Sequence, residues 1–170
     1  MTIMIKLREL VTKKDPVVIR QTLSVSDLIS NRKEIMNITP LEVDLQVKMD
    51  FEVARVWGTC NGEIHYVCSR CLKEFNKTLQ INIQEAFTQN SEIAKSDPEE
   101  SIQLVTSDEV DIEPYIRESF LLDLPYAPIC KESCKGLCPT CGINKNEASC
   151  TCKQDQIDPR LAKLKDFYVE

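Results

Sequence analysis

The sequence predicts an α+β fold, an antiparallel β meander packed with one main helix, followed by a cysteine-rich segment and a short terminal helix. Three observations carry this. From Leu41 to Val53 apolar and polar residues alternate without a break, the period-two signature of a strand with one wet face. Ile112, Ile116, Phe120 and Leu124 recur at four-residue spacing, the apolar stripe of a helix lying on a core. Six of the nine cysteines fall between Cys130 and Cys152 with few large apolar residues among them. That last stretch cannot build a core of its own.

The elements follow in order. Ile3, Ile5 and Leu7 share one parity against Lys6 and Arg8, which predicts an opening strand. Ser24 to Met36 suits a short helical turn. Leu41, Val43, Leu45, Val47, Met49, Phe51 and Val53 form the inner parity of the long strand, with that face expected against the helix at 112–124. Asn61-Gly62 supplies turn chemistry after Trp57. Ile64 to Val67 resumes an extended pattern that runs into Cys68, and Phe75 to Phe87 alternates again at Leu79, Ile81 and Ile83. Asn90 to Ser101 reads as a solvated loop. Asp111 caps the main helix, and Pro125 and Pro128 end it. Asp158-Pro159 starts a last amphipathic helix bearing Leu161, Leu164 and Phe167. Two units result: 1–129 as the α+β domain, and 130–170 as a metal-binding segment packed on it.

Composition bounds the function. The chain has 170 residues, 42% hydrophobic and 28% charged, with a formal net charge of −6. These are the proportions of a soluble globular protein, and they disfavour a chain that grips nucleic acid by bulk positive charge. Ser91 to Asp123 alone carries −8, so the remainder is +2. No apolar run approaches the roughly 18–20 residues of a membrane span. Charges at Lys6 and Arg8 come too early for a signal-peptide core. A cytoplasmic protein without a membrane partner is expected.

Nine cysteines cannot all pair as internal disulfides, and in a reducing compartment such clusters more often bind metal. Cys68-Ser-Arg-Cys71 and Cys138-Pro-Thr-Cys141 have the two-residue gap that turns both sulfurs toward one ion, and Gly142 follows the second pair as in a zinc knuckle. Cys130 with Cys134 and Cys150 with Cys152 supply further pairs, leaving Cys60 over. Two four-cysteine sites result, and two structural zinc ions suit them, since zinc takes four thiolates tetrahedrally and needs no redox change. One arrangement joins Cys138, Cys141, Cys150 and Cys152 locally, and Cys68 and Cys71 with Cys130 and Cys134 across the chain. Its rival is a single local site from Cys134, Cys138, Cys141 and Cys152. An iron–sulfur cluster is compatible with the same ligands.

Other constellations are weak. His65 is the single histidine and reads as a surface or half-buried residue. Trp57 reads as core. No Walker loop, Gly-x-Gly-x-x-Gly or Gly-x-Ser-x-Gly occurs, and no catalytic residues or small-molecule substrate are expected. Arg70, Lys73 and Lys77 surround the first cysteine pair, and Arg160 and Lys163 decorate the tail. These five are the candidate partner-binding residues.

Cys68-Ser-Arg-Cys-Leu, Cys134-Lys-Gly-Leu-Cys-Pro-Thr-Cys-Gly-Ile-Asn-Lys-Asn, Cys150-Thr-Cys and Asp158-Pro-Arg-Leu-Ala-Lys-Leu together resemble the YceD family of bacterial and plastid proteins. The resemblance runs in order along the whole chain. It departs from the family's usual Asn-Leu-Asn at Asn144-Lys-Asn146. It implies a role in accumulation of large-subunit ribosomal RNA, and it brings a process and not a reaction. The expected function is therefore a non-enzymatic factor in ribosome assembly that binds large-subunit RNA or a ribosomal protein. The alternative is a metal-handling or thiol redox protein that uses its sulfurs directly.

Overall fold

The structure is a computed structural model and describes residues 2–96 and 101–152. A three-residue strand, β1 (Met4–Lys6), leads into a one-turn helix, α1 (Leu7–Val11). Leu7 thus opens a helix, while Ile3 and Ile5 point inward as their parity predicted. β2 (Val17–Leu23), a 3-10 turn at Ser26–Ile29 and β3 (Ile35–Ile38) follow. The meander proper is β4 (Leu41–Asp50), β5 (Val53–Val67) and β6 (Glu74–Thr88). α2 (Ile93–Ser96), β7 (Ile102–Leu104), β8 (Glu109–Asp111) and α3 (Glu113–Asp123) complete the described elements. The terminal helix expected at 158–167 lies outside the described residues.

The main sheet runs β2-β4-β5-β6-β7, antiparallel except for the parallel β6/β7 pair. β5 is long enough to take two partners on one edge. β4 pairs with Val53 to Asn61, and β3 with Ile64 to Tyr66. β1 and β8 form a separate antiparallel ribbon. One face of the sheet is dry. Leu41, Val43, Leu45 and Val47 of β4, Val56, Cys60, Ile64 and Tyr66 of β5, and Leu79, Ile81, Ile83 and Phe87 of β6 are buried in one core with Leu10, Ile116 and Phe120. α3 lies against β6 and α1 against β4. The inner parity of β4 therefore faces the core as expected, but α1 is its main helical neighbour.

Two turns differ from expectation. The β4–β5 reversal falls at Phe51-Glu52, since Asp50 pairs with Val53. Phe51 adopts φ 51° and is 94% exposed, so it leaves the inner parity. No Gly or Asn marks this turn. It is held from outside, because Thr88 Oγ1 donates to the Glu52 carbonyl at 2.8 Å and Asn90 Nδ2 to Glu52 Oε2 at 2.8 Å. Asn61-Gly62, in contrast, sits inside β5, paired with Gln80 and Leu79. Gly62 serves close packing there, as a Cβ would lie 2.9 Å from Leu41 Cδ2. Trp57 lies on the wet face at 36% exposure and is not a core residue, because its parity on β5 is opposite to that of Val56.

Asp111 Oδ1 accepts the Glu113 N–H at 3.0 Å, an Asx contact at the start of α3. Leu124 then turns extended before Pro125. Arg117 fastens α3 to the 3-10 turn by donating to the Ser24 carbonyl at 3.2 Å and pairing with Asp27. No described helix is long and apolar enough to cross a membrane.

Val47 is fully buried, so Val47→Asp should lower stability by about 3 kcal/mol or more through an unpaired charge, read as a drop in Tm. Gly58 has φ 149°, and a Cβ there would sit 2.2 Å from the Asp44 carbonyl oxygen. Gly58→Ala should thus cost at least about 2 kcal/mol in a denaturant titration. An unshifted Tm for Val47→Asp would show that the dry face is wrongly assigned, and an unshifted midpoint for Gly58→Ala that the close β4–β5 approach is.

Candidate metal centres

The β5–β6 ladder carries two cysteines to its open end. β5 stops at Val67, and residues 68–73 turn the chain into β6. Cys68 N–H donates to the Lys73 carbonyl at 2.9 Å, continuing the ladder, and Leu72 N–H returns to the Cys68 carbonyl at 2.9 Å. Leu72 closes the turn at φ 59°. The second knuckle repeats this geometry. Gly142 N–H returns to the Cys138 carbonyl at 2.9 Å, with φ 73°. Glycine takes that conformation freely, whereas Leu72 holds it against its own Cβ.

The segment after α3 docks on the first knuckle through its backbone. Ser69 N–H donates to the Pro128 carbonyl at 2.8 Å, and Leu137 N–H to the Arg70 carbonyl at 3.0 Å. Arg70 Nη1 donates to the Cys134 carbonyl at 3.1 Å. These contacts gather Cys68, Cys71, Cys130 and Cys134 into one cluster and leave Cys138, Cys141, Cys150 and Cys152 in another. Within each cluster the sulfurs all lie within 4.8 Å of one another. The local set of Cys134, Cys138, Cys141 and Cys152 is not the grouping that forms.

Both clusters could hold a metal ion. Cys68 and Cys134 sulfurs are 3.9 Å apart, and Cys71 and Cys130 sulfurs 3.7 Å. A tetrahedron with metal–sulfur bonds of about 2.3 Å has edges of about 3.8 Å. The first cluster is well shielded. Cys68, Cys71 and Cys134 are 0%, 5% and 4% exposed, with Phe75 and Ile129 packed on them. In the second, Cys138 is buried, Cys150 and Cys152 are half-buried and Cys141 is exposed.

The electrostatics favour a cation. At Cys68 burial opposes ionisation, but backbone N–H groups of Cys130, Cys71 and Arg70 outweigh it and bring the thiol down to about 6. Backbone N–H groups of Cys141 and Thr140 bring Cys138 down to about 6. Burial and the neighbouring sulfurs push Cys130 up to about 12, and the Cys141 sulfur does the same to Cys152, also to about 12. Each cluster readily carries some negative charge but resists ionising all its sulfurs until a positive ion joins them. Cys60 stands apart. It is buried in the main core, and burial pushes its thiol up to about 11.

Two asparagines join the first cluster, although in the sequence Asn144-Lys-Asn146 stands only as part of the family motif and not as candidate site residues. Asn146 Nδ2 donates to Cys134 Sγ at 3.4 Å, and Asn144 Oδ1 accepts from Asn146 Nδ2 at 2.8 Å. Their signal was the Asn-x-Asn spacing after the knuckle, where the side chain of one bonds the backbone two residues on. Of the five candidate partner-binding residues, Arg70, Lys73 and Lys77 are exposed on or beside the first knuckle. Arg160 and Lys163 lie outside the described residues. His65 is paired with Glu74 at 3.2 Å on the wet side of the sheet.

A family model described as large ribosomal RNA subunit accumulation protein YceD matches residues 56–168. The chain belongs to the YceD family. The match begins within β5 and takes in both cysteine clusters. An uncharacterized protein of Mycobacterium tuberculosis is 33% identical over 125 residues, covering 73% of this chain and 60% of the relative. The chain therefore spans about 60% of the length of that relative. The uncharacterized protein YlbN of Bacillus subtilis is 29% identical over 147 residues, covering 85% of this chain and 83% of the relative. A maize chloroplast protein named large ribosomal RNA subunit accumulation protein YCED homolog 1 is 48% identical over 61 residues, covering 35% of this chain and 20% of its own length. No solved structure matches.

Only thiolates hold a metal, so acid works against both clusters. Without metal, Cys68 and Cys138 take up protons at pH about 6, and a bound cation that holds all four sulfurs of a cluster ionised shifts that uptake lower. Bound metal should be retained at neutral pH and released on acidification below about 6, as followed by a chromogenic chelator. Retention unchanged down to pH about 2 would contradict thiolate ligation.

Proposed function

We propose that this protein is a non-enzymatic factor that supports accumulation of large-subunit ribosomal RNA, acts in the cytoplasm by binding RNA or a ribosomal protein, and is held in shape by two zinc ions. Membership of the YceD family is the single observation that carries the reading, since the process is in the family's description and in the names of its plant relatives. The site chemistry supports it. All-sulfur sites leave no open position for water or substrate, and so serve structure more often than reaction. The exposed Arg70, Lys73 and Lys77 crown the first knuckle, while the acidic stretch 91–123 would repel RNA. Such asymmetry favours one oriented contact face over a general coat of positive charge. Phosphates of the large-subunit RNA, or an acidic patch on a ribosomal protein, would meet that face; Arg160 and Lys163 stand as further candidates on their sequence alone.

A second reading rests on the exposed Cys141 beside a Cys138 whose thiol lies at about 6. Cys141 offers the access and Cys138, itself buried, the acidity that metal handling or thiol redox exchange would use. Under the first reading zinc is tight and the thiols are silent. Under the second they are alkylated in the loaded protein.

Elemental analysis of purified protein should give close to two zinc ions per chain, and Cys68→Ser or Cys138→Ser should each remove about one. Iron with sulfide in place of zinc would overturn the zinc assignment. Replacing Arg70, Lys73, Lys77, Arg160 and Lys163 with Glu should shift the tagged protein off large-subunit precursors in a sucrose gradient while leaving zinc content intact. Continued co-sedimentation would show that this face is wrong. Depletion should lower mature large-subunit RNA more than small-subunit RNA. Balanced amounts of the two would defeat the assembly role.

A further inference from the structure

We propose that the two sulfur clusters are coupled centres and that Asn146 is the positioning residue through which the outer one secures the inner one. The inference rests on the metal reading above. Asn146 sits between Cys141 and Cys150, so the loop that presents it is closed by two ligands of the outer cluster. Its side chain nevertheless serves the inner cluster.

The orientation of the Asn146 amide follows from its partners. Its Oδ1 accepts the Lys135 N–H at 2.9 Å. A backbone N–H can only donate, so Nδ2 is the end that faces Cys134 Sγ at 3.4 Å. Asn144 fixes this pose, because its Oδ1 accepts both the Asn146 N–H at 3.0 Å and Nδ2 at 2.8 Å. Around this pair the chain is a narrow hairpin. Lys145 N–H donates to the Gly136 carbonyl at 3.0 Å and Cys138 N–H to the Ile143 carbonyl at 2.8 Å.

Little else orders the loop. Gly142, Ile143, Glu147, Ala148 and Ser149 are exposed, and no residue from 142 to 149 is buried. The loop lacks apolar burial to offset the entropy of fixing its backbone, so its order depends on the outer metal and these hydrogen bonds. When the outer metal leaves, the loop loosens, Cys134 loses its donor, and the inner thiolates hold their ion less well. Linkage makes the effect reciprocal. The outer ion leaves first, because its cluster contains the exposed Cys141 whereas three of the four inner sulfurs belong to buried residues.

The test uses the full-length, zinc-loaded protein with excess chelator and a chromogenic zinc readout. Wild type should release one ion fast, from the outer cluster while the inner one is still loaded, and one slowly, after the outer site has emptied, so the fast step is the one that reports the coupling. Asn146→Asp keeps the acceptor for Lys135, removes the donor to Cys134 Sγ and to Asn144 Oδ1, and adds a negative charge. It should accelerate the fast phase roughly tenfold, within the range for groups that support metal ligands. Asn144→Ala should do the same without adding charge or touching a group that contacts sulfur. Cys68→Ser combined with Cys130→Ser should leave one ion per chain, at the outer site, released at the accelerated rate, and adding Asn144→Ala should accelerate it no further. Cobalt loading of each variant should keep a tetrahedral tetrathiolate spectrum at every cluster whose cysteines are intact, which separates weakened support from a lost ligand set. A fast phase unchanged in Asn144→Ala, or in the double cysteine variant, would overturn the coupling while leaving two zinc centres in place. A wild-type chain that holds no thiolate-bound metal would overturn both readings.

Discussion

Four sulfur atoms within 4.8 Å of one another are the constraint on which the C-terminal part of this structure depends. Residues 130–152 contribute only Cys134 and Cys138 to the buried side chains. Hydrophobic burial at roughly 25 cal/mol per Å² cannot order such a stretch alone. Sulfur clusters can, provided a cation lets all four thiolates ionise together. The inner cluster ties the end of the β5–β6 ladder to chain about 60 residues onward, and its partner closes the local loop. Closing a long loop and a short one with the same chemistry lets a segment with almost no core keep a defined path.

The sheet makes that clasp possible. Fifteen consecutive antiparallel pairs join β5 to β6, so the first knuckle is presented at a fixed height and direction. A shift of one residue would turn Ile64 and Tyr66 into solvent and carry the cysteines with them. Tyr66 stacks on Phe75 with ring centroids 5.5 Å apart, and Phe75 in turn contacts the inner cluster. The main core and the sulfur cluster thus meet through one aromatic pair. The exposed cations of the knuckle inherit the same fixed geometry, which is what a single oriented contact face requires.

Much of this was legible in the residues. The alternation of β4 and β6, the stripe of α3 and the Cys-x-x-Cys pairs are periodic or spaced signals that depend on local geometry alone. What escaped reading depends on distant neighbours. The Phe51-Glu52 turn carries no turn residue because Thr88 and Asn90 hold it from the next strand. Asn61-Gly62 looked like a turn because glycine was needed, but the need is for room beside Leu41. Trp57 looked like core because most tryptophans are, and only the register with Val56 shows otherwise. α1 is too short for periodicity to reveal. Asn146 entered only through the family motif, since nothing local signals that its amide reaches a sulfur 12 residues away.

On the proposed reading, bound metal and not packing orders residues 130–152 and fastens them to the β5–β6 end. Hydrogen exchange of the full chain, before and after stripping metal with a chelator, tests it most directly. Loss of protection confined to Ser69, Leu72, Leu137, Cys138 and Gly142, with the amides of Val43 to Val47 and Ala54 to Cys60 still protected, is the predicted result. Unchanged protection across 130–152 in the stripped protein would contradict it.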